Sequence, residues 1–203
     1  PALSSAASDV YKRQGLIYPN NGKVIINGKD ITNEPLHVRA KFGLGYLPQE
    51  SSIFSDLSVE NNLLGIVELS ATDSQEASKI VTKLIDDFGL SKILNVKGRM
   101  LSGGQRRKVE IARTLISSPN LILLDEPFAG IDPIAVEEIK ELLKEISKKD
   151  ISILITDHNV RETLSLCDRA IILVDGNIIA DGTEKQLKEN EYVGQKYFGK
   201  MFS

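Results

Sequence analysis

Leu121 to Leu124 are four consecutive apolar residues that run directly into Asp125, Glu126 and Pro127. Such a run reads as a buried strand. Its C-terminal end delivers two carboxylates to the edge of a sheet, where open parallel sheets bind their ligands. An aspartate in that position suits a Mg²⁺ ion in a nucleotide pocket, and a glutamate beside it can polarise an attacking water. Taken alone, such a pattern is more often a solvated strand cap than a catalytic site. A second stretch, Leu101-Ser102-Gly103-Gly104-Gln105, precedes an amphipathic run carried by Val109, Ile111, Ala112 and Leu115. Two glycines allow close backbone approach, and a helix start offers unpaired N–H groups and a positive dipole end, which together form a phosphate-binding geometry. An ordinary Gly-Gly loop with a capped helix is the bland alternative.

The elements that must position these residues follow from periodicity and turn chemistry. Gly22 to Ile31 reads as a hairpin around Asn27-Gly28, and residues 35–43 as a short helix with Pro35 near its first turn. A short strand, "LGYLP", leads into a loop at Gln49. Ser58 can cap the helix that follows. Ala77, Ile80, Val81, Leu84, Ile85 and Phe88 recur at helical spacing, with a capping box from Asp73 and Glu76 in front and Gly89 as the stop. Leu57 to Lys97 is therefore expected to be an all-helical insert. Beyond Met100 the pattern alternates. "NLILLDEP" is a strand, and Val136, Ile139, Leu142, Leu143 and Ile146 mark a helix. "ISILITD" is a strand, "NVRETLSLC" a helix and "RAIILVDG" a third strand, from which "NIIADG" pairs back as a hairpin before a polar terminal helix. Near-continuous apolar strands separated by helices predict an α/β fold with a parallel sheet covered on both faces.

Order turns these fragments into one signal. Gln49 after a strand, then LSGGQ, ILLDEP, AGIDP, and finally His158 ending a strand in "LITDH" form a sequence of motifs that chance does not assemble. From about Gly15 to its C-terminus the chain resembles the nucleotide-binding subunits of ABC transporters. The resemblance implies a P-loop NTPase-type ABC nucleotide-binding domain over residues 15–203, with the helical subdomain at about 57–97. It implies ATP and Mg²⁺ as ligands. By the same resemblance Asp125 holds Mg²⁺, Gln49 contacts the metal or the attacking water, Glu126 is the catalytic base and His158 contacts the γ-phosphate. Asp132 belongs to a loop crossing the subunit interface. Leu101, Ser102, Gly103, Gly104 and Gln105 bind, in trans, the ATP held by the other subunit, which requires a homodimer. The wording "DEPFAGIDP" and "DHNVRETL" is similar to that of the ATPases of lipopolysaccharide exporters. The implied partners are two transmembrane permease subunits at the cytoplasmic face of a Gram-negative inner membrane. ATPases of branched-chain amino-acid importers share the general motifs and are the nearest alternative; a catalytically silent regulatory subunit is another. Ile53 and Phe54, apolar residues beside Gln49, are expected to help form the groove for a permease helix.

One expected part is missing. No GxxxxGK[ST] run occurs among the 203 residues, and Lys23, Lys29 and Lys41 have no glycine cradle. Residues 1–14, PALSSAASDVYKRQ, stand where that P-loop belongs, and "DVYKRQ" back-translates to a transposase end sequence. We therefore expect a non-native leader, an incomplete N-terminal part, and weak or absent ATPase activity in the chain as written. The rest of the composition is unremarkable: 41% hydrophobic, 26% charged, net charge −3 and a pI near 5.5, which argues against a free-standing nucleic-acid binder. The lone cysteine, Cys167, excludes an internal disulfide. His37 carries no motif and is expected on a solvated helix face.

Overall fold

The computed structural model describes residues 18–69, 74–190 and 193. The predicted first hairpin forms from β1 (Ile25–Ile26) and β2 (Lys29–Asp30), paired antiparallel across Asn27-Gly28. Both turn residues have positive φ, 50° and 76°, as a two-residue type I′ turn demands. Helix α1 (Leu36–Lys41) follows and leads to β3 (Leu44–Leu47).

The central sheet has three parallel strands in the order β3, β4 (Leu121–Asp125), β5 (Ser152–Thr156). Side-chain alternation on these strands splits the core. Ile122 and Leu124 join Leu47, Ile153 and Ile155 on the face covered by α4 (Gly103–Leu115) and α5 (Pro133–Ser147). Leu123 points the other way, onto Leu44, Ile26 and Ile31 beneath the first hairpin. Burial on both faces is why β4 contains no polar residue before Asp125.

The segment Ala170–Val174 departs from expectation. This strand, β6, pairs antiparallel with β7 (Asn177–Gly182) in a separate two-stranded sheet instead of extending the parallel one. Its apolar side chains are satisfied elsewhere. Ile172 packs with Leu164 of α6 (Val160–Leu164), Leu187 of α7 (Glu184–Glu189) and Val193.

The helical insert is mostly as read. Helix α2 (Val59–Leu69) is capped by Ser58, whose Oγ accepts the Asn61 N–H at 3.1 Å. Helix α3 (Ser74–Asp87) ends at Gly89 (φ 62°), where the Gly89 and Leu90 N–H groups bond to the Asp86 and Ile85 carbonyls, the pairing of a Schellman cap. The Asp73–Glu76 capping box lies outside the described residues and side chains. The insert is not all helix, however. After a short 3₁₀ turn (Ser91–Ile93), the carbonyls of Leu94 and Val96 accept the first N–H groups of α2, and Ser58 bridges to Lys97. This turn between the 3₁₀ segment and Lys97 satisfies donors that a helix start leaves orphaned. Val59, Leu63, Val81, Leu84 and Phe88 belong to the same core cluster as β4, so the insert shares the main core.

Candidate functional site at the carboxyl edge of the sheet

The C-terminal ends of β3, β4 and β5 lie side by side, and three sequence-predicted residues converge there. Gln49, two residues past β3, donates from Nε2 to Glu126 Oε2 at 2.8 Å. His158, just beyond β5, places Nδ1 3.5 Å from Glu126 Oε1. The Glu126 carboxylate is thus flanked by an amide and an imidazole, and its side chain is only 25% exposed. Its backbone is in the left-handed region (φ 42°), which is strained for a non-glycine residue. A backbone bond from Glu126 N–H to the Thr156 carbonyl, 2.8 Å, holds the strand end in that turn. The turn answers a problem posed by the sequence, since adjacent strand residues point to opposite faces. Asp125 stays buried behind the sheet edge while Glu126 swings outward.

Asp125 is 1% exposed. Its Oδ1 accepts the Thr156 hydroxyl at 2.7 Å, and its Oδ2 has no hydrogen-bond partner. A buried carboxylate oxygen without a donor is costly and fits a residue that ligates a cation directly or through water. The residues present therefore fit a Mg²⁺ ion, for which Asp125 and Gln49 are the candidate holders. No cluster of three or more His, Cys, Asp or Glu side chains able to enclose a metal occurs among the described residues.

The signature stretch sits at the start of α4. Ser102 is the N-cap, and with Gln105 it forms a reciprocal capping box: Gln105 N–H to Ser102 Oγ at 3.2 Å, and Ser102 N–H to Gln105 Oε1 at 3.1 Å. Ser102, Gly103 and Gln105 are exposed. Leu101 is only 5% exposed and its side chain belongs to the core, so it offers a ligand backbone only. The two glycines differ. A Cβ on Gly104 would stand 2.4 Å from the Ala135 Cβ, so Gly104 is dictated by the packing of α4 on α5. On Gly103 the nearest atom would be the Gly130 carbonyl oxygen at 3.4 Å. Asp132 is the exposed N-cap of α5, accepting the Ala135 N–H at 3.0 Å ahead of Pro133 at the first helical position. Lys140 of α5 is salt-bridged to Glu162 and Glu137, fixing α6, the helix that follows His158. Burial works against the Lys140 charge, but the two carboxylates outweigh it and raise its pKa. His37 is exposed on α1, as expected.

The residues that tie these parts together escaped the sequence reading. Arg107 is buried and commits all five of its N–H groups. They go to the Pro48, Asp125, Glu126 and Pro127 carbonyls and to the Glu110 carboxylate, at 2.9–3.2 Å. Burial pulls this guanidinium below its ordinary range, and Glu110 opposes the shift. Glu110 in turn accepts from Ser51 Oγ at 2.7 Å and Ser52 N–H at 2.9 Å. One side-chain pair on α4 therefore clamps both the Gln49 loop and the Asp125–Pro127 turn. A signal was available. Arg107 falls on the inward stripe Gly104, Arg107, Ile111, Leu115, where a charge must find partners. Phe54 (45% exposed) stacks under Arg113 at 4.8 Å, and its backbone is bonded in both directions to the buried Asn62 side chain.

Residues 14–129 match the family model of the ABC transporter. The chain is an ATP-binding subunit of the ABC transporter family. Among curated ABC proteins it is 47% identical, over its whole length and 84% of the relative's, to the lipopolysaccharide export system ATP-binding protein LptB of Haemophilus influenzae. The Escherichia coli K12 protein of the same name is 43% identical with the same coverage. The fold aligns with the ADP conformation of the ATP-binding cassette MJ1267 at a TM-score of 0.83 and 27% identity, covering 98% of this chain and 85% of that one. A dimeric cassette, MJ0796 bound to ADP and Pi, aligns at a TM-score of 0.75 and 25% identity, covering 91% and 82%. These solved ABC cassettes support the reading of the sheet as a mainly parallel one flanked by helices.

Proposed function

We propose that the chain is the ATP-binding and ATP-hydrolysing subunit that powers lipopolysaccharide export, acting as a homodimer beneath two transmembrane permease subunits at the cytoplasmic face of the inner membrane. The observation that carries the enzymatic part is the convergence of Gln49 and His158 on Glu126, with Asp125 buried behind it. The transported substrate comes from the whole-length likeness to lipopolysaccharide-export ATPases at 43–47% identity. Among the described residues no helix is long and apolar enough to cross a membrane.

In this reading Glu126 accepts the proton of an attacking water. Gln49 orients the Glu126 carboxylate and so the water's direction of approach. His158 is 76% exposed and free to rotate toward a γ-phosphate without disturbing the core. Mg²⁺, held by Asp125 and Gln49, supplies charge neutralisation on the phosphates when bound. The exposed Ser102 hydroxyl and the N–H groups at the start of α4 face a nucleotide on the partner subunit, and Asp132 lies at that interface. Met100 (72% exposed) and Ile134 (77% exposed) are next to the signature and to Asp132 in sequence, and their exposure suits burial in a dimer. Ile53 and Phe54 line the permease groove.

Because the 203 residues hold no GxxxxGK[ST] run, this polypeptide by itself is expected to bind ATP weakly and turn over little. Partner choice is the test. The tagged chain, co-expressed with a lipopolysaccharide-export permease pair or a branched-chain amino-acid permease pair, should be retained by the first, and Phe54→Asp should abolish retention. Equal retention on both pairs, or an unaffected Phe54→Asp, contradicts the assignment.

A further inference from the structure

His158 lies at a seam between two apolar clusters. The strand before it belongs to the main core through Ile153 and Ile155 of β5. The helix after it does not. Val160 and Leu164 of α6 pack with Ile172, Leu187 and Val193, a cluster separate from the main core. Leu166, beyond the end of α6, is the next apolar residue to reach the main core. Helix α6 has only five residues, too few to hold its own geometry. Local bonds shape the turn that enters it: Asp157 Oδ1 accepts the Asn159 N–H at 2.7 Å, and Asn159 Oδ1 accepts the Glu162 N–H at 3.3 Å. None of these contacts sets where α6 lies relative to Glu126.

One polar contact does. Lys140 Nζ donates to Glu162 Oε2 of α6 and, at 2.9 Å, to Glu137 Oε1 of its own helix. Among the described residues, Lys140–Glu162 is the only ion pair between α5 and α6. The Lys140 side chain is 9% exposed and sits among Val136, Ile139, Leu143 and Ile146, the buried residues of α5. An apolar side chain would fill that place without needing a partner. A buried ion pair adds little stability over apolar residues of the same volume, so the lysine is explained by what it holds. Helix α5 is a fixed frame for it. Its apolar stripe belongs to the main core, and Glu138 bridges to Lys108 of the signature helix α4 at 2.6 Å.

We propose that Lys140 is a positioning residue for His158: by holding Glu162 it docks α6 on α5 and keeps the imidazole beside the Glu126 carboxylate. The proposal rests on the reading of Glu126 and His158 as partners in hydrolysis, whose side chains stand 3.5 Å apart. It assigns a task to two charged residues, Lys140 and Glu162, that lie outside every motif singled out in the sequence.

The chain has two histidines, so carbon–proton NMR of the labelled imidazole rings, at one fixed pH, reads His158 directly without ATP turnover. His37, exposed on α1, is the internal control. Glu126→Gln should shift the His158 signal and so define the loss of its carboxylate neighbour. Lys140→Met should shift the same signal and leave that of His37 in place. Its unfolding midpoint should change little, because the methionine fills the space and Glu162, 30% exposed, can turn to water. Glu162→Gln should give a smaller shift, and Lys140→Arg, which keeps the charge, should give almost none. If Glu126→Gln moves the His158 signal while Lys140→Met and Glu162→Gln do not, the Lys140 assignment is wrong and the pairing of Glu126 with His158 stands. If Glu126→Gln leaves the signal in place, that pairing fails and the proposal fails with it. A lower midpoint in Lys140→Met with an unmoved His158 signal makes Lys140 a structural residue and overturns the proposal. So does a shift in Lys140→Arg as large as in Lys140→Met, or failure of both Lys140→Met and Glu162→Gln to fold.

Discussion

Replacing Arg107 by alanine should damage the fold and the site together. The guanidinium is buried, salt-bridged to Glu110 at 3.2 Å, and donates to four carbonyls from two loops. Removing it leaves the Glu110 carboxylate buried without its cation and strips the Asp125, Glu126 and Pro127 carbonyls of donors. Breaking a buried pair on one side costs about 3–5 kcal/mol. For a chain of 203 residues that corresponds to a fall in unfolding midpoint of roughly 6–20 °C. Arg107→Lys keeps the charge but has three donors on a point-like head, so it should fall between the two. Differential scanning fluorimetry reads the midpoint. Hydrogen exchange mapped onto residues 48–52 and 125–127 reads the clamp, and both segments should exchange faster in the alanine variant. A fall below about 3 °C, or faster exchange in neither segment, would refute the idea that Arg107 holds the two loops.

Gly104→Ala forces a methyl group to 2.4 Å from the Ala135 Cβ and should destabilise by about 1–3 kcal/mol in chemical denaturation. Gly103→Ala, whose nearest neighbour is a carbonyl oxygen at 3.4 Å, should stay within about 0.5 kcal/mol, and equal effects would contradict the packing account. Burial, and secondarily the Asp168 charge, push the Cys167 thiol up, so less thiolate is present at a given pH near 8 than for a free thiol. Iodoacetamide should therefore label the folded chain more slowly than the urea-unfolded chain at pH 8; equal rates would contradict this burial effect.

Much of the site was legible because its residues sit where local rules act. Apolar strands that stop at Asp125 and just before His158, and a Ser102-Gly103-Gly104 stretch leading into an amphipathic helix, are all written in short stretches. The β1–β2 turn was legible for the same reason, since Asn27-Gly28 encodes its own geometry. Relations between distant segments were hidden. Nothing local says that Ala170–Val174 satisfies its apolar face against Leu164, Leu187 and Val193 and so stays outside the parallel sheet. Nor does the sequence show that Leu94 and Val96 turn their carbonyls toward α2. Arg107 and Glu110 carry no motif of their own, and only packing shows both on the inward side of α4. Gly104 was read as a concession to a ligand, and proves to be dictated by Ala135.

The central claim is that this chain's Leu101–Gln105 stretch works on ATP held by another subunit. It is tested most directly with a full-length lipopolysaccharide-export relative whose own signature has been disabled. Alone, that protein should hydrolyse little ATP. Mixed with this chain, it should regain turnover, since its bound ATP can now meet an intact Ser102-Gly103-Gly104, and Ser102→Arg in this chain should remove the gain. No recovery of phosphate release with the unaltered chain, or recovery that survives Ser102→Arg, would contradict the account.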